Sequence, residues 1–178
     1  RRTHNLNLAQ WIPDLFMQRV EADGVWSLFD PKDVPDLPDL YGDAFTEAYE
    51  KAETNKVYHR QIKARDLYAR MMRSLAETGN GWMTFKDATN LKCNQTGKPG
   101  NVVHLSNLCT EITEVTSKDQ TAVCNLGSVN LARHMNTNGE GTPYFDFDKL
   151  AATVRTAILM LDRVIDINYY PIAQAASS

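Results

Sequence analysis

The stretch Asn107-Leu108-Cys109-Thr110-Glu111 puts three different reactive groups at every second position. In an extended backbone, side chains alternate between faces, so Asn107, Cys109 and Glu111 would project to one side. That face would carry an amide, a thiol and a carboxylate close together. A thiol can act as a nucleophile or hydrogen-atom donor, a carboxylate can move protons, and an amide can orient a hydroxyl. Cys124 follows fifteen residues after Cys109, in Ala122-Val123-Cys124-Asn125-Leu126-Gly127. Two thiols, a base and an amide point to redox or radical chemistry on a polar substrate.

Each of these residues also has a structural reading. A cysteine with apolar neighbours is commonly an inert, packed residue, and Cys109 taken alone fits that description. Asn107 and Glu111, however, are poor core residues unless they find partners, which brings the two readings level. Cys124 reads either as a small hydrophobe or as a redox thiol needing a second cysteine nearby. Cys93 sits in a polar run and reads as incidental. A zinc site from Cys93, His104, Cys109 and Cys124 has no CxxC or HxxxH spacing behind it, so no metal is expected. Gly97-Lys98-Pro99-Gly100 lacks the full phosphate-loop pattern, and Pro99 removes an amide donor, so a plain turn is expected. Tyr169-Tyr170 could relay a radical by residue type, yet aromatics following a helix ordinarily pack, and the pair reads as structural.

Elements must deliver these residues to one place. Ile12 to about Ala22 reads as a helix with Pro13 in its first turn, and Val25–Phe29 as a short strand stopped by Asp30-Pro31. Three prolines between Pro31 and Tyr41 indicate an irregular connection, followed by a short charged helix over about Asp43–Ala52. The strongest periodicity spans Arg60–Thr78, where Ala64, Leu67, Tyr68, Met71, Met72 and Leu75 share one helical face. Gly79-Asn80-Gly81 supplies its stop. Trp82–Phe85 reads as a strand feeding a polar loop from Lys86 to Gly100, which leads through Val102–Leu105 to the Asn107–Glu111 segment. Val123–Leu131 reads as extended and Asn136–Pro143 as a loop. A last helix begins near Asp146, a suitable N-cap, with Phe147, Leu150, Ala151, Val154, Ile158, Leu161 and Ile165 on one face. Helices alternating with short strands give the α/β class.

The whole-chain properties are permissive. With 178 residues, 43% hydrophobic and 23% charged, and a net charge of −3, the chain can build a core and shows no basic surface for nucleic acid. No apolar run approaches the roughly 18 residues needed to span a bilayer, and no signal peptide is apparent. Three cysteines are too few for a disulfide framework and suit a reducing, cytoplasmic compartment. The chain opens on Arg1-Arg2-Thr3 and stops at Ala175-Ala176-Ser177-Ser178, which reads as a fragment of something longer.

Over nearly its whole length the sequence resembles the large, catalytic subunit of class I ribonucleotide reductase. The resemblance is carried by Leu8-Ala9-Gln10-Trp11-Ile12-Pro13-Asp14-Leu15-Phe16-Met17, Trp26-Ser27-Leu28-Phe29, Glu77-Thr78-Gly79 and Lys86-Asp87. It continues through Ser106-Asn107-Leu108-Cys109-Thr110-Glu111-Ile112, Thr116-Ser117-Lys118-Asp119, Val123-Cys124-Asn125-Leu126 and Ile165-Asp166-Ile167-Asn168-Tyr169-Tyr170-Pro171. Cys93 departs from the serine or other small residue expected there.

The resemblance implies that residues 1–178 are the middle part of a ten-stranded α/β catalytic barrel, with Cys109 on a loop threaded into its centre. Cys109 would be the transient thiyl radical that takes the 3′ hydrogen of the substrate ribose. Glu111 would take the 3′-hydroxyl proton, Asn107 would hydrogen-bond the ribose hydroxyls, and Cys124 would be half of a redox dithiol whose partner lies outside the chain. Tyr169-Tyr170 is not the family's relay pair. No cofactor is expected in this segment. The radical would come from a metal-containing small subunit, and ATP and dNTP effectors would bind elsewhere. Expected partners are that small subunit, a second large subunit, thioredoxin or glutaredoxin, and a nucleoside diphosphate, with neither nucleic acid nor membrane. The segment alone should not turn over nucleotides. Related glycyl-radical or cobalamin-dependent reductases match less well, and a non-catalytic, binding or regulatory homologue is the remaining alternative.

Overall fold

The computed structural model describes residues 5–177, so both chain ends, Arg1–His4 and Ser178, lie outside the described residues. The chain forms two compact units that divide between Asp119 and Gln120.

In the first unit, β1 (Ala9–Ile12) pairs in parallel with β4 (Trp82–Phe85), with Trp11 opposite Thr84 and Ile12 opposite Phe85. Gly81 makes this approach possible. Its φ is +87°, and a Cβ there would lie 2.5 Å from the Leu8 carbonyl oxygen, against which the Trp82 N–H closes at 3.1 Å. Helix α1 begins at Asp14, not at Ile12: Ile12 is the last residue of β1 and Pro13 is the N-cap of α1 (Asp14–Glu21). Strand β2 (Val25–Leu28) pairs antiparallel with β3 (Arg60–Lys63).

That second pairing corrects the helix expected from Arg60. The first four residues are a strand because β2 takes up their backbone groups and sets Ile62 opposite Trp26. The helix proper, α3 (Ala64–Thr78), starts where the apolar stripe starts and ends on Gly79 at φ +63°, whose N–H reaches Leu75 O. Phe16, Ile12, Val20 and Ala64 form one buried cluster, against which Leu67, Tyr68 and Met71 of α3 pack.

Helix α2 (Gly42–Thr54) supplies Phe45 and Tyr49 to a second cluster with Leu15. The two clusters meet at Trp26, which stacks on Tyr49 at 4.3 Å and meets Phe16 edge-on at 5.0 Å. Around that aromatic stack runs a polar network. The Arg19 guanidinium donates to both Glu53 carboxylate oxygens at 2.6 Å, and Ser27 Oγ donates to Glu53 at 2.6 Å. Tyr49 Oη accepts from Ser27 N and donates to Ser27 O, and burial raises its pKa. Burial also pushes the Glu53 carboxyl upward, but the hydrogen bonds from Arg19 and Ser27 and the Arg19 charge outweigh it, and the net shift is downward.

A second correction concerns Lys86–Lys92, expected as loop and found as helix α4. Its polar composition conceals an inward-facing row. Asp87 accepts from the N–H groups of Asp14 (2.6 Å) and Gly42 (2.7 Å). It thereby satisfies free donors at the starts of α1 and α2. Lys86 is buried over the Phe45 ring and donates to Leu37 O and Pro38 O in the proline-rich connection. Burial lowers the Lys86 pKa to about 8, against the opposing pull of Asp87 and Asp39. Asn90 is 1% exposed, donates to Lys86 O and Val103 O, and accepts from Val103 N.

In the second unit, Val123–Leu131 forms no strand, and Leu131–His134 is a single 3-10 turn capped by the Asn130 side chain. The expected loop Asn136–Pro143 is found over residues 138–142, and its two ends extend into the paired strands β5 (Met135–Thr137) and β6 (Pro143–Phe145) of a hairpin. Asn138 closes its turn, accepting from Glu140 N and Thr142 N through Oδ1. Helix α5 (Phe147–Ile167) starts as expected, with Asp146 accepting from Lys149 N, and α6 (Ala173–Ser177) follows. The apolar face of α5 holds no buried residue: Phe147 is 73% and Ile158 60% exposed. Tyr170 donates to Ile165 O, whereas Tyr169 is exposed.

The architecture is therefore α/β, built from three two-stranded sheets and their helices; no closed barrel forms among the described residues. No helix there is long and apolar enough to cross a membrane.

Candidate active site

Residues 101–130 lack regular secondary structure, and the Asn107–Glu111 segment is a turn, not an extended strand. The Thr110 N–H donates to Asn107 O at 3.1 Å, and Thr110 sits at φ +70°. A β-branched residue in the left-handed region costs about 1–2 kcal/mol, so surrounding contacts must hold this turn.

The turn joins the expected residues by another route than alternation. Asn107 Nδ2 donates to Glu111 Oε1 at 2.8 Å, and Asn107 Oδ1 accepts from Ile112 N at 3.1 Å. Both ends of the amide are thus committed to the far limb of the turn. Between them lies Cys109, a free and exposed thiol. Behind Asn107, Ser106 is buried, donates to Asn107 O, and accepts from Trp82 Nε1 at 3.0 Å. Strand β4 therefore reaches the site directly.

The arrangement offers a thiol at the apex of a turn whose base is a carboxylate–amide pair. Such a pair can take a proton and orient a hydroxyl. Cys124 lies in the second unit as a free, exposed thiol in an irregular segment. The remaining residues of the zinc reading are engaged otherwise. His104 Nε2 is 2.7 Å from Asp39, and Cys93 Sγ donates to Thr113 O at 3.1 Å. Among the described residues no group of three or more His, Cys, Asp or Glu could hold a metal ion. Gly97–Gly100 is a plain turn.

Comparison with known proteins decides the family. The family model described as ribonucleotide reductase, barrel domain, matches residues 1–178. The chain belongs to the ribonucleotide reductase barrel-domain family. It is 47% identical over 180 residues to the ribonucleoside-diphosphate reductase subunit alpha of Chlamydia trachomatis, covering 98% of this chain and 16% of that protein. It is 44% identical over 178 residues to the large subunit of Danio rerio, covering all of this chain and 22% of that protein. With the large subunit of Arabidopsis thaliana the identity is 40%, covering 99% of this chain and 23% of that protein. The chain thus spans about a fifth of the length of such reductase subunits.

Sequence reasoning missed Trp82, Ser106, Asn90 and Gln95 around the turn. None belongs to a spacing pattern, and only Ser106 lay within a quoted motif. Their signal is an unusual one: polar side chains that satisfy the backbone of a segment without a ladder of its own.

Proposed function

We propose that the chain is part of the catalytic barrel of a ribonucleoside-diphosphate reductase large subunit, in the family's ten-stranded form. Cys109 is the residue that becomes a thiyl radical, with the radical delivered by a metal-containing small subunit. The thiyl sulfur takes the 3′ hydrogen of the ribose, forming S–H and a carbon radical at C3′. Glu111 takes the 3′-hydroxyl proton while the 2′-hydroxyl, protonated by a thiol, leaves as water. Asn107 holds the ribose hydroxyls. Cys124 and a partner cysteine supply two electrons and end as a disulfide, while Cys109 returns the hydrogen to C3′ and Glu111 returns the proton to the 3′ oxygen. The balance is one ribose C–OH and two thiols converted to C–H, one disulfide and water. Thioredoxin or glutaredoxin then re-reduces the disulfide. Pairing with a second large subunit, control by ATP and dNTPs bound elsewhere, and a cytoplasmic location complete the proposal.

The supporting observation is the Asn107–Glu111 hydrogen bond of 2.8 Å across the turn bearing the exposed Cys109 thiol. Proximity of radical, base and orienting amide is what this reaction demands of a protein.

The test is reduction of a nucleoside diphosphate by the full-length polypeptide with a small subunit and thioredoxin. Cys109→Ser should abolish turnover while substrate binding persists. Glu111→Gln should lower kcat by roughly 10²–10⁴-fold, the usual scale for loss of a general base. Turnover by Cys109→Ser near the wild-type rate would overturn the assignment.

A further inference from the structure

The catalytic turn sits in thirty residues without a ladder, yet holds a strained Thr110. Something outside the turn must fix it. Besides Trp82, which reaches Ser106, the groups that do so come from one short piece of chain: α4 and the loop behind it.

At the entrance to the turn, Asn90 imitates a neighbouring strand. Its Oδ1 accepts from Val103 N at 2.8 Å and its Nδ2 donates to Val103 O at 3.0 Å. At the exit, Cys93 Sγ donates to Thr113 O at 3.1 Å, and Gln95 Oε1 accepts from Val115 N at 2.7 Å. Thr96 ties this loop back to the helix through Asn90 O and Cys93 O. Entrance and exit are therefore referenced to the same support.

We infer that α4 and its trailing loop form the register clamp of the catalytic turn, with Asn90, Cys93 and Gln95 as positioning residues. This rests on the catalytic reading of Cys109 given above. None of the three is assigned contact with substrate; they act by holding the backbone on which Asn107 and Glu111 are mounted. Asn90 is wholly buried and serves the fold as well. Cys93 is half-buried and Gln95 exposed, so their side chains can be removed with little loss of packing. The exit is the place to separate positioning from folding.

The expected result for Cys93→Ala/Gln95→Met in the full-length reductase is a kcat lowered by about 10–100-fold, the scale of a small misplacement of reacting groups. KM should stay within about twofold, as expected when an interaction matters for the chemical step rather than for binding. Amide exchange across residues 107–115 should accelerate by about tenfold while thermal stability stays near wild type, since a freed exit opens locally. Cys93→Ser/Gln95→Glu keeps a donor to Thr113 O and an acceptor for Val115 N, and should restore most of the lost rate.

The clamp is overturned if Cys93→Ala/Gln95→Met exchanges like wild type. It is also overturned if kcat is unchanged, if the loss falls on KM, if it merely follows a drop in folded protein, or if the conservative pair fails to rescue. Cys109→Ser, assayed alongside, separates the two proposals. An inactive Cys109→Ser with an unimpaired double variant refutes the clamp alone. An active Cys109→Ser refutes the catalytic reading, and with it the clamp's catalytic role; exchange then reports only whether the bonds hold the turn.

Discussion

Helices α3 and α5 carry the same kind of apolar stripe and meet opposite fates. The stripe of α3 closes on α1: Ala64 is fully buried, and Leu67, Tyr68 and Met71 pack against Phe16 and its neighbours. Helix α5 is longer, 21 residues against 15, and its stripe contains no buried residue. An amphipathic pattern states that a helix needs a covering surface; it does not supply one. The first unit is consequently held by long-range packing and buried polar bonds. The second is held by its hairpin, a cap and local hydrogen bonds. The Asn107–Glu111 turn is mounted in the former.

The sharpest way to break this comparison is to remove one large side chain from each unit. Phe16→Ala empties a position that is 2% exposed at the junction of α1, α3 and Trp26. It should cost about 3–5 kcal/mol in urea unfolding. Ile158→Ala on α5 should change stability by less than about 0.5 kcal/mol, as at any exposed position. A cost above about 1 kcal/mol at Ile158 would mean that the stripe of α5 is packed after all.

A smaller effect should follow from Glu53→Gln, which weakens the paired bonds from Arg19 while retaining an acceptor for Ser27. Loss of the charge-assisted component should cost about 1–2 kcal/mol at neutral pH. The folded pKa of Glu53 lies below its ordinary value of 4.5. Its contribution is therefore fully present above that value and is lost as pH falls through the folded pKa. Acid titration of stability in wild type and Glu53→Gln should converge at low pH. A constant gap down to acid would refute the ion-pair account.

What the sequence revealed depended on which force governed each segment. Hydrophobic period governed α3, α5, β2 and β4, and those elements were readable. At Arg60–Lys63 a strand partner 32–38 residues away overrode the helical continuation, and no local pattern encodes it. At Lys86–Asn90 the inward face is polar, so a helix buried through hydrogen bonds looked like a loop. The candidate site residues stood out by type, but their geometry was not legible. Asn107 and Glu111 meet through a left-handed Thr110, a conformation that residue preference argues against. Cys93 read as incidental and Gln95 carried no signal, because each bonds a backbone atom some twenty residues onward.

A cap tests the other side of the comparison. Asp146 caps α5, with Oδ1 accepting from Lys149 N at 2.9 Å and Oδ2 accepting from Asn136 Nδ2 of the hairpin at 2.8 Å. Asp146→Ala removes both and should cost about 1 kcal/mol, whereas Asp146→Asn keeps an oxygen for the Lys149 N–H and should recover most of it. All three tryptophans, Trp11, Trp26 and Trp82, lie in the first unit, so their fluorescence reports that unit alone. Helical circular dichroism also reports α5. If local bonds hold the second unit independently, Asp146→Ala shifts the dichroism transition and leaves the fluorescence transition in place. Equal shifts in both would show that the two units unfold as one cooperative whole.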